Sequence, residues 1–126
     1  MKEKKILIIE DDEAIQSALH DACKDAGFSC AIANDGEAGL ALSLEEKPDL
    51  IILDLLMPKM DGMTLLKKLR ADAWGADVRV LILTNLSADE PARIKDAVET
   101  YPEYYLVKSD WAIGDIVKKV EEMLRA

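Results

Sequence analysis

The sequence predicts an α/β protein with a doubly wound, five-stranded parallel sheet and five helices that cover both of its faces. Two observations carry this prediction. Short, continuous apolar runs, typical of strands buried on both faces, alternate along the chain with stretches whose apolar residues recur at helical spacing. Alternation of these two patterns favours a parallel sheet in which helices form the crossover connections.

The first half of the chain supplies three strands and two helices. The strands are predicted at residues 6–9, 30–33 and 50–53, and the helices at about 15–26 and 38–44. Gly27 ends the first helix, because glycine readily takes the left-handed conformation that closes many helices. The turn Asn34-Asp35-Gly36 precedes the second helix, and Pro48-Asp49 breaks the chain before the third strand.

The second half continues the alternation. Helices are predicted at about 62–72 and 88–99, and a last one from apolar positions between 113 and 124, and strands at 78–83 and 104–107. Pro91 falls in the first turn of its helix, where proline is tolerated. Ser109 or Asp110 is expected to cap the last helix, because both side chains accept hydrogen bonds from free backbone N–H groups. Nothing is left over for a second domain, so we expect one domain over residues 1–126 without an output domain.

Composition narrows the classes of function. The formal net charge is −9, from 16 Lys and Arg against 25 Asp and Glu. This argues against direct binding to nucleic acid or to an anionic membrane, since both depend on basic side chains. No apolar run approaches the ~18 residues of a membrane-spanning helix. The segment before the first strand does not resemble a signal peptide either, so a cytoplasmic location is expected.

The two cysteines, Cys23 and Cys30, match no zinc-binding spacing. We interpret them as reduced thiols, with Cys23 packed as a small hydrophobic residue. A disulfide between them is the less favoured alternative.

Chemically functional side chains follow four of the five predicted strands. In strand order they are Glu10-Asp11-Asp12, Asp54, Thr84 and Lys108. In open α/β sheets the carboxyl ends of the strands share one edge, so these groups are expected to converge there. Clustered carboxylates repel one another unless a cation lies among them. Oxygen ligands alone favour a hard ion, and Mg²⁺ (or Mn²⁺) is the predicted cofactor.

Such a cluster is suited to phosphoryl transfer. A carboxylate beside a metal ion is a competent nucleophile, and the metal offsets the charge of the incoming group. The Lys108 ammonium and the Thr84 hydroxyl could each bind one phosphoryl oxygen. Catalysis would then consist mainly of positioning and charge neutralisation.

Four segments together make the sequence resemble a response-regulator receiver domain, the CheY-like domain of two-component signalling. They are residues 6–13 (ILIIEDDE), 48–54 (PDLIILD) leading into 57–62 (MPKMDG), 81–84 (LILT) and 105–108 (YLVK). The resemblance covers essentially the whole chain. It implies the flavodoxin-like strand order 2-1-3-4-5.

The resemblance also implies roles for single residues. Asp54 matches the phosphoacceptor and a metal ligand, Thr84 the hydroxyl that follows the phosphoryl group, and Lys108 its lysine partner. Tyr105 matches an aromatic residue whose rotamer changes on activation.

For the metal, the resemblance implies that the acidic pair is Glu10 and Asp11, with the backbone carbonyl of Leu56 as a further ligand. Asp12 would flank the pair and could cap the first helix. A shift of one residue, which makes Asp11 and Asp12 the pair, is the open alternative.

The chain departs from the family pattern after the lysine, where Ser109 replaces the usual proline. A cis bond before a non-proline residue costs about 2.5–4 kcal/mol, so a trans Lys108–Ser109 bond is expected. Asn85 is larger than the usual residue and is expected to crowd the site or add a hydrogen bond. Leu56 and Leu86 are expected to place apolar bulk near an acyl phosphate and lengthen its lifetime.

The resemblance implies Mg²⁺-dependent phosphorylation of Asp54 by a sensor histidine kinase or phosphotransfer protein. The surface around the fourth helix, fifth strand and last helix would then change and bind a downstream protein. Such a domain catalyses only its own phosphorylation and dephosphorylation.

Three alternatives differ in class. A degenerate receiver would bind partners without phosphorylation. A haloacid-dehalogenase-type phosphohydrolase would need an aspartate where Leu56 stands. A nucleotide- or flavin-binding module would need a glycine-rich loop in place of the acidic turn after the first strand.

Overall fold

A computed structural model describes residues 3–85, 95, 99 and 102–125, which contain a single five-stranded parallel sheet. The strands are β1 (Lys5–Ile9), β2 (Ser29–Ala33), β3 (Leu50–Leu53), β4 (Arg79–Thr84) and β5 (Tyr104–Val107). Their order is β2-β1-β3-β4-β5, and all neighbours pair in parallel. The predicted fold class and strand order are confirmed.

The described residues contain four α-helices and one short 3-10 helix. The α-helices are α1 (Glu13–Asp25), α2 (Gly36–Glu46), α3 (Gly62–Ala71) and α4 (Ile113–Arg125), and the 3-10 helix is Lys108–Asp110. The helix predicted at 88–99 lies mostly outside the described residues, and the two that are described, Lys95 and Glu99, are helical. Gly27 follows α1 with φ +97°, as its predicted role as a helix terminator requires.

The sheet separates two apolar cores, because successive strand side chains point to opposite faces. Ile51 and Leu53 of β3 pack with α2 and α3, whereas Leu50 and Ile52 pack with α1 and α4. Burial on both faces explains why this strand reads as a continuous apolar run. Cys23 belongs to the second core, and both cysteines are free thiols, as predicted.

The N-cap of the last helix differs from the prediction. Ser109 and Asp110 lie in the 3-10 helix, and the Trp111 N–H group donates to the Lys108 carbonyl at 3.4 Å. Trp111 is extended (φ −127°, ψ 129°), which separates this turn from α4. The prediction that Ser109 or Asp110 caps the helix is therefore wrong.

The peptide bond between Lys108 and Ser109 is trans, as predicted, since the described residues contain no cis bond. Within the same residues, no helix is long and apolar enough to cross a membrane.

A close backbone contact fixes the loop between β3 and α3. The Gly62 N–H group donates to the Leu55 carbonyl at 3.0 Å. A β-carbon at Gly62 would overlap the carbonyl oxygen of Asp54. Only glycine therefore allows α3 to begin this close to the end of β3.

Candidate functional site

Glu10 follows β1 and is held by its backbone as well as by its side chain. Its N–H group donates to the Ala33 carbonyl at 3.1 Å, and its own carbonyl accepts a hydrogen bond from Gln16 Nε2. Glu10 Oε1 accepts a hydrogen bond from the Asp12 N–H group at 3.0 Å. The residue is buried, so its carboxylate is fixed in a polar network at the sheet edge.

Asp12 serves as the N-cap of α1. Its Oδ1 accepts hydrogen bonds from the N–H groups of Ala14 at 2.9 Å and Ile15 at 3.1 Å. These N–H groups lack partners within the helix, so the cap stabilises the first turn. The Asp12 carboxylate is thus engaged by α1, as its suggested capping role requires.

Asp54 follows β3 and is 4% exposed. Its N–H group donates to the Ile9 carbonyl at 3.0 Å, which places Asp54 next to the end of β1. The two carboxylate oxygens have separate partners. Oδ1 accepts from the Leu56 N–H group at 3.1 Å, and Oδ2 accepts from Lys108 Nζ at 2.9 Å.

Lys108 joins the carboxylates of two different strands. Its ammonium lies 2.9 Å from Asp54 Oδ2 and 2.6 Å from Glu10 Oε2. Burial lowers the pKa of Lys108, but the hydrogen bonds to Glu10 and Asp54 outweigh this effect and raise it above its ordinary value. Lys108 is therefore a charged bridge across the site.

Glu10 titrates unusually for a carboxyl group. Burial raises the pKa of Glu10 to about 7, with a smaller contribution from the charge of Asp54, and the hydrogen bond from Lys108 only partly offsets this. In the absence of a bound cation, the folded site therefore disfavours the ionised form of Glu10.

Carboxylate oxygens of Glu10, Asp11 and Asp54 all lie within 4.8 Å of one another. With Lys108 as the neighbouring cation, the fully ionised group carries a formal charge of −3 + 1 = −2. Oxygen donors and a net charge of −2 fit a hard divalent cation such as Mg²⁺ or Mn²⁺. Asp11 is exposed, so this cluster of three carboxylates is open to solvent on the side of Asp11.

Thr84 and Tyr105 lie on the neighbouring strands. Thr84 is buried at the carboxyl end of β4 and pairs in register with Val107, the residue before Lys108. Tyr105 is partly buried and packs on the α2–α3 core. Thr84 thus lies at the same sheet edge as Asp54 and Lys108.

Two of the loop positions singled out in the sequence, Leu56 and Asn85, lie shortly after the ends of β3 and β4 at this edge. Leu56 is 41% exposed and contributes its N–H group to Asp54. Asn85 is exposed directly after β4. Leu86 lies outside the described residues.

Sequence reasoning missed Gln16. This buried side chain donates to both the Glu10 carbonyl and Asn34 Oδ1. A signal was available, because Gln16 shares the inward face of α1 with Leu19 and Cys23, where a polar residue is unusual.

Comparison with known proteins places this geometry in a family. The model of the family described as "Response regulator receiver domain" matches residues 6–121. The DNA-binding dual master transcriptional regulator RpaA of Synechocystis is 37% identical over 124 residues, which cover 96% of this chain and 49% of that protein. The chain thus spans about half the length of the curated relatives it matches.

Solved structures share the fold over nearly the full chain. The chemotaxis protein CheY4 of Vibrio cholerae is 25% identical, with a TM-score of 0.86 over 98% of this chain and all of CheY4 (100%). The Mn²⁺-bound form of the response regulator Rcp1 is 28% identical, with a TM-score of 0.80 over 94% of this chain and 92% of that chain.

Proposed function

Because the chain belongs to the response regulator receiver domain family of two-component systems, we propose that Asp54 accepts a phosphoryl group in a reaction that requires a divalent cation. The observation that carries the proposal is the convergence of Glu10, Asp11, Asp54 and Lys108 at one sheet edge. These residues supply the nucleophile, the cation ligands and a counter-charge.

The two oxygens of Asp54 are prepared for different tasks. Oδ1 accepts from the Leu56 N–H group, and Oδ2 accepts from Lys108. One oxygen would form a bond to phosphorus while the bond from phosphorus to the donor breaks. In a phosphohistidine donor the imidazole nitrogen is the leaving group, and in acetyl phosphate it is acetate. The Lys108 ammonium would then pair with a phosphoryl oxygen instead of the carboxylate.

Glu10, Asp11 and Asp54 would hold Mg²⁺ or Mn²⁺, with the Leu56 carbonyl as a further ligand. When bound, the cation would neutralise charge on the phosphoryl oxygens. The Mn²⁺-bound form of Rcp1 supports a divalent ion for a protein of this fold. Glu10 would supply a buried carboxylate to the cation, and the ion pair with Lys108 would offset part of the negative charge of that carboxylate.

A sensor histidine kinase or phosphotransfer protein would donate the phosphoryl group. The signal would leave through the surface formed by β5, α4 and the segment predicted as the 88–99 helix, with Thr84 and Tyr105 as the coupling residues. Phosphorylation would shift the population between two states of this surface. Its target would be a protein, since a net charge of −9 disfavours direct contact with DNA by these residues. We expect no turnover of a separate substrate.

The test is intact-protein mass after incubation with acetyl phosphate, with Mg²⁺ or with EDTA. We expect one added phosphoryl group in the wild-type protein with Mg²⁺, and none with EDTA or in Asp54→Asn. Asp21→Asn is the matched control, because Asp21 is a largely exposed aspartate on α1.

Failure of the wild-type protein to form an adduct would favour a degenerate receiver that acts without phosphorylation. An adduct that persists in Asp54→Asn would place the acceptor elsewhere.

A further inference from the structure

We propose that Gln16 is a positioning residue that orients the peptide unit between Glu10 and Asp11, and thereby both carboxylates. This inference deepens the function proposed above and rests on it. Gln16 lies on α1, outside the acidic turn, and has no charge. It would act through Glu10 and Asp11 rather than touch the cation.

The hydrogen bonds of the Gln16 amide carry the proposal. Nε2 donates to the carbonyl oxygen of Glu10 and, at 2.6 Å, to Oδ1 of Asn34. Both amide protons are therefore committed, one to the end of β1 and one to the loop after β2. Gln16 is 7% exposed, so water has little access to replace it.

The carbonyl that Gln16 holds belongs to the peptide bond leading from Glu10 to Asp11. The N–H group of Glu10 is fixed separately by the Ala33 carbonyl at 3.1 Å. Glu10 is therefore held at both of its backbone polar groups. Rotation of the following peptide plane would break the hydrogen bond from Gln16 and move Asp11, whose side chain is exposed.

A purely structural role is the competing explanation. Leu19 and Cys23 share the inward face of α1 with Gln16 and simply fill the core. If Gln16 also only fills space, methionine should replace it, since the two side chains have similar length and volume. If the amide orients the ligands, methionine should fail although it packs, because it cannot donate a hydrogen bond.

The experiment measures Mn²⁺ affinity directly, by the electron paramagnetic resonance signal of free Mn²⁺ in titrations of unphosphorylated protein. We expect Gln16→Met to raise the Kd for Mn²⁺ about 10–100-fold, as loss of a group that orients metal ligands typically does. Leu19→Met is the matched control, because it alters the same helix face without removing a hydrogen bond. Its Kd should stay within about twofold of the wild-type value.

The phosphorylation rate gives a second readout. At saturating Mn²⁺ the rate of Gln16→Met with acetyl phosphate should recover to within a few-fold of the wild-type rate, because Asp54 and Lys108 are unchanged. A defect confined to low Mn²⁺ concentration distinguishes positioning of the ligands from general damage to the site.

An unchanged Kd in folded Gln16→Met, or an equal rise in Leu19→Met, would overturn the inference. If Gln16→Met does not fold, Asn34→Ala removes the exposed acceptor of the same amide. An increase in the Kd for Mn²⁺ then supports the positioning role of Gln16, and an unchanged Kd overturns it. A wild-type protein that does not bind Mn²⁺ would overturn the proposed metal site and this inference together, whereas failure of the inference alone appears only in the variants.

Discussion

At the residue scale, Lys108 is the side chain on which the charge balance of the site depends. Its ammonium contacts carboxylates from two strands, and both carboxylates are buried. A buried charge without a partner is strongly unfavourable, more so than a surface ion pair is favourable. Removing Lys108 should therefore affect stability as well as phosphorylation.

We expect Lys108→Met to lower the free energy of unfolding by about 3 kcal/mol in EDTA, near the lower end for a broken buried pair, because Glu10 can take up a proton. Urea denaturation at pH 7 measures this loss. Lys5→Met is the control, since its ion pair with Glu46 is partly exposed and should contribute about 0–1 kcal/mol. Equal losses in both variants would contradict the charge-balance argument.

Glu10 makes the stability of the metal-free protein depend on pH. Its pKa rises from 4.5 in the unfolded chain to about 7 in the folded protein. Between these values the unfolded chain has released the proton while the folded protein retains it. The contribution of Glu10 to the free energy of unfolding therefore falls as pH rises through this window.

In EDTA, Glu10→Gln should consequently gain stability relative to the wild-type protein as pH rises from about 5 to 8. Urea denaturation of both proteins at a series of pH values measures the difference. The loss of the Lys108 partner adds an offset that does not create this slope. A difference that is constant across the range would show that Glu10 titrates normally.

At the scale of elements, the two adjacent aspartates in the turn between β1 and α1 have different roles. Asp12 caps α1 by accepting hydrogen bonds from two backbone N–H groups. Asp11 is exposed, and its carboxylate lies close to those of Glu10 and Asp54. Capping and cation binding thus fall on different residues. This division favours Glu10 and Asp11 over the shifted pair as the candidate ligands.

The two aspartates should therefore respond oppositely to alanine. Asp12→Ala should lower the free energy of unfolding by about 1 kcal/mol through loss of the cap and change Mn²⁺ affinity little. Asp11→Ala should weaken Mn²⁺ binding at least tenfold and change stability by less than about 0.5 kcal/mol. Denaturation in EDTA and Mn²⁺ titration test both, and reversed results would establish Asp11 as the cap and Asp12 as the ligand.

At the scale of the whole molecule, the two ends of the parallel strands have different roles. The sheet edge formed by the carboxyl ends carries the candidate site, and the opposite edge is formed by the amino ends. At the opposite edge, Arg79 binds Glu103 through two hydrogen bonds of 2.6 and 2.8 Å and also donates to the Met123 carbonyl of α4. Arg125 donates to the Ala26 carbonyl at 2.6 Å after the end of α1. Arg79 thus joins β4 to α4, and Arg125 joins α4 to the end of α1.

The variant Arg79→Met should therefore lose stability without losing its phosphorylation rate. We expect its free energy of unfolding to fall by about 1 kcal/mol, a discounted value because the Arg79–Glu103 pair is partly exposed. Its rate of phosphorylation by acetyl phosphate should stay within about twofold of the wild-type rate. A large loss of rate in protein that remains folded would show that the two edges are coupled.

The sequence by itself determined the five strands, their order by resemblance, and the groups that follow them. These features are accessible because apolar periodicity is local and because parallel strands deliver their carboxyl ends to one edge. The bounds of β3 and β5 were predicted without error, and β4 begins and ends one residue later than predicted. The same topology argument placed Glu10, Asp54 and Lys108 together.

Only the tertiary structure decided which side chains contact one another. The two contacts of Lys108, the hydrogen bond from Gln16 to Asn34 and the contacts of Arg79 each join residues distant in sequence, so no local pattern contains them. The N-cap of α4 was predicted wrongly for a related reason. Ser109 is a good cap in isolation, but the chain around it forms a turn while the preceding Lys108 is held at the site.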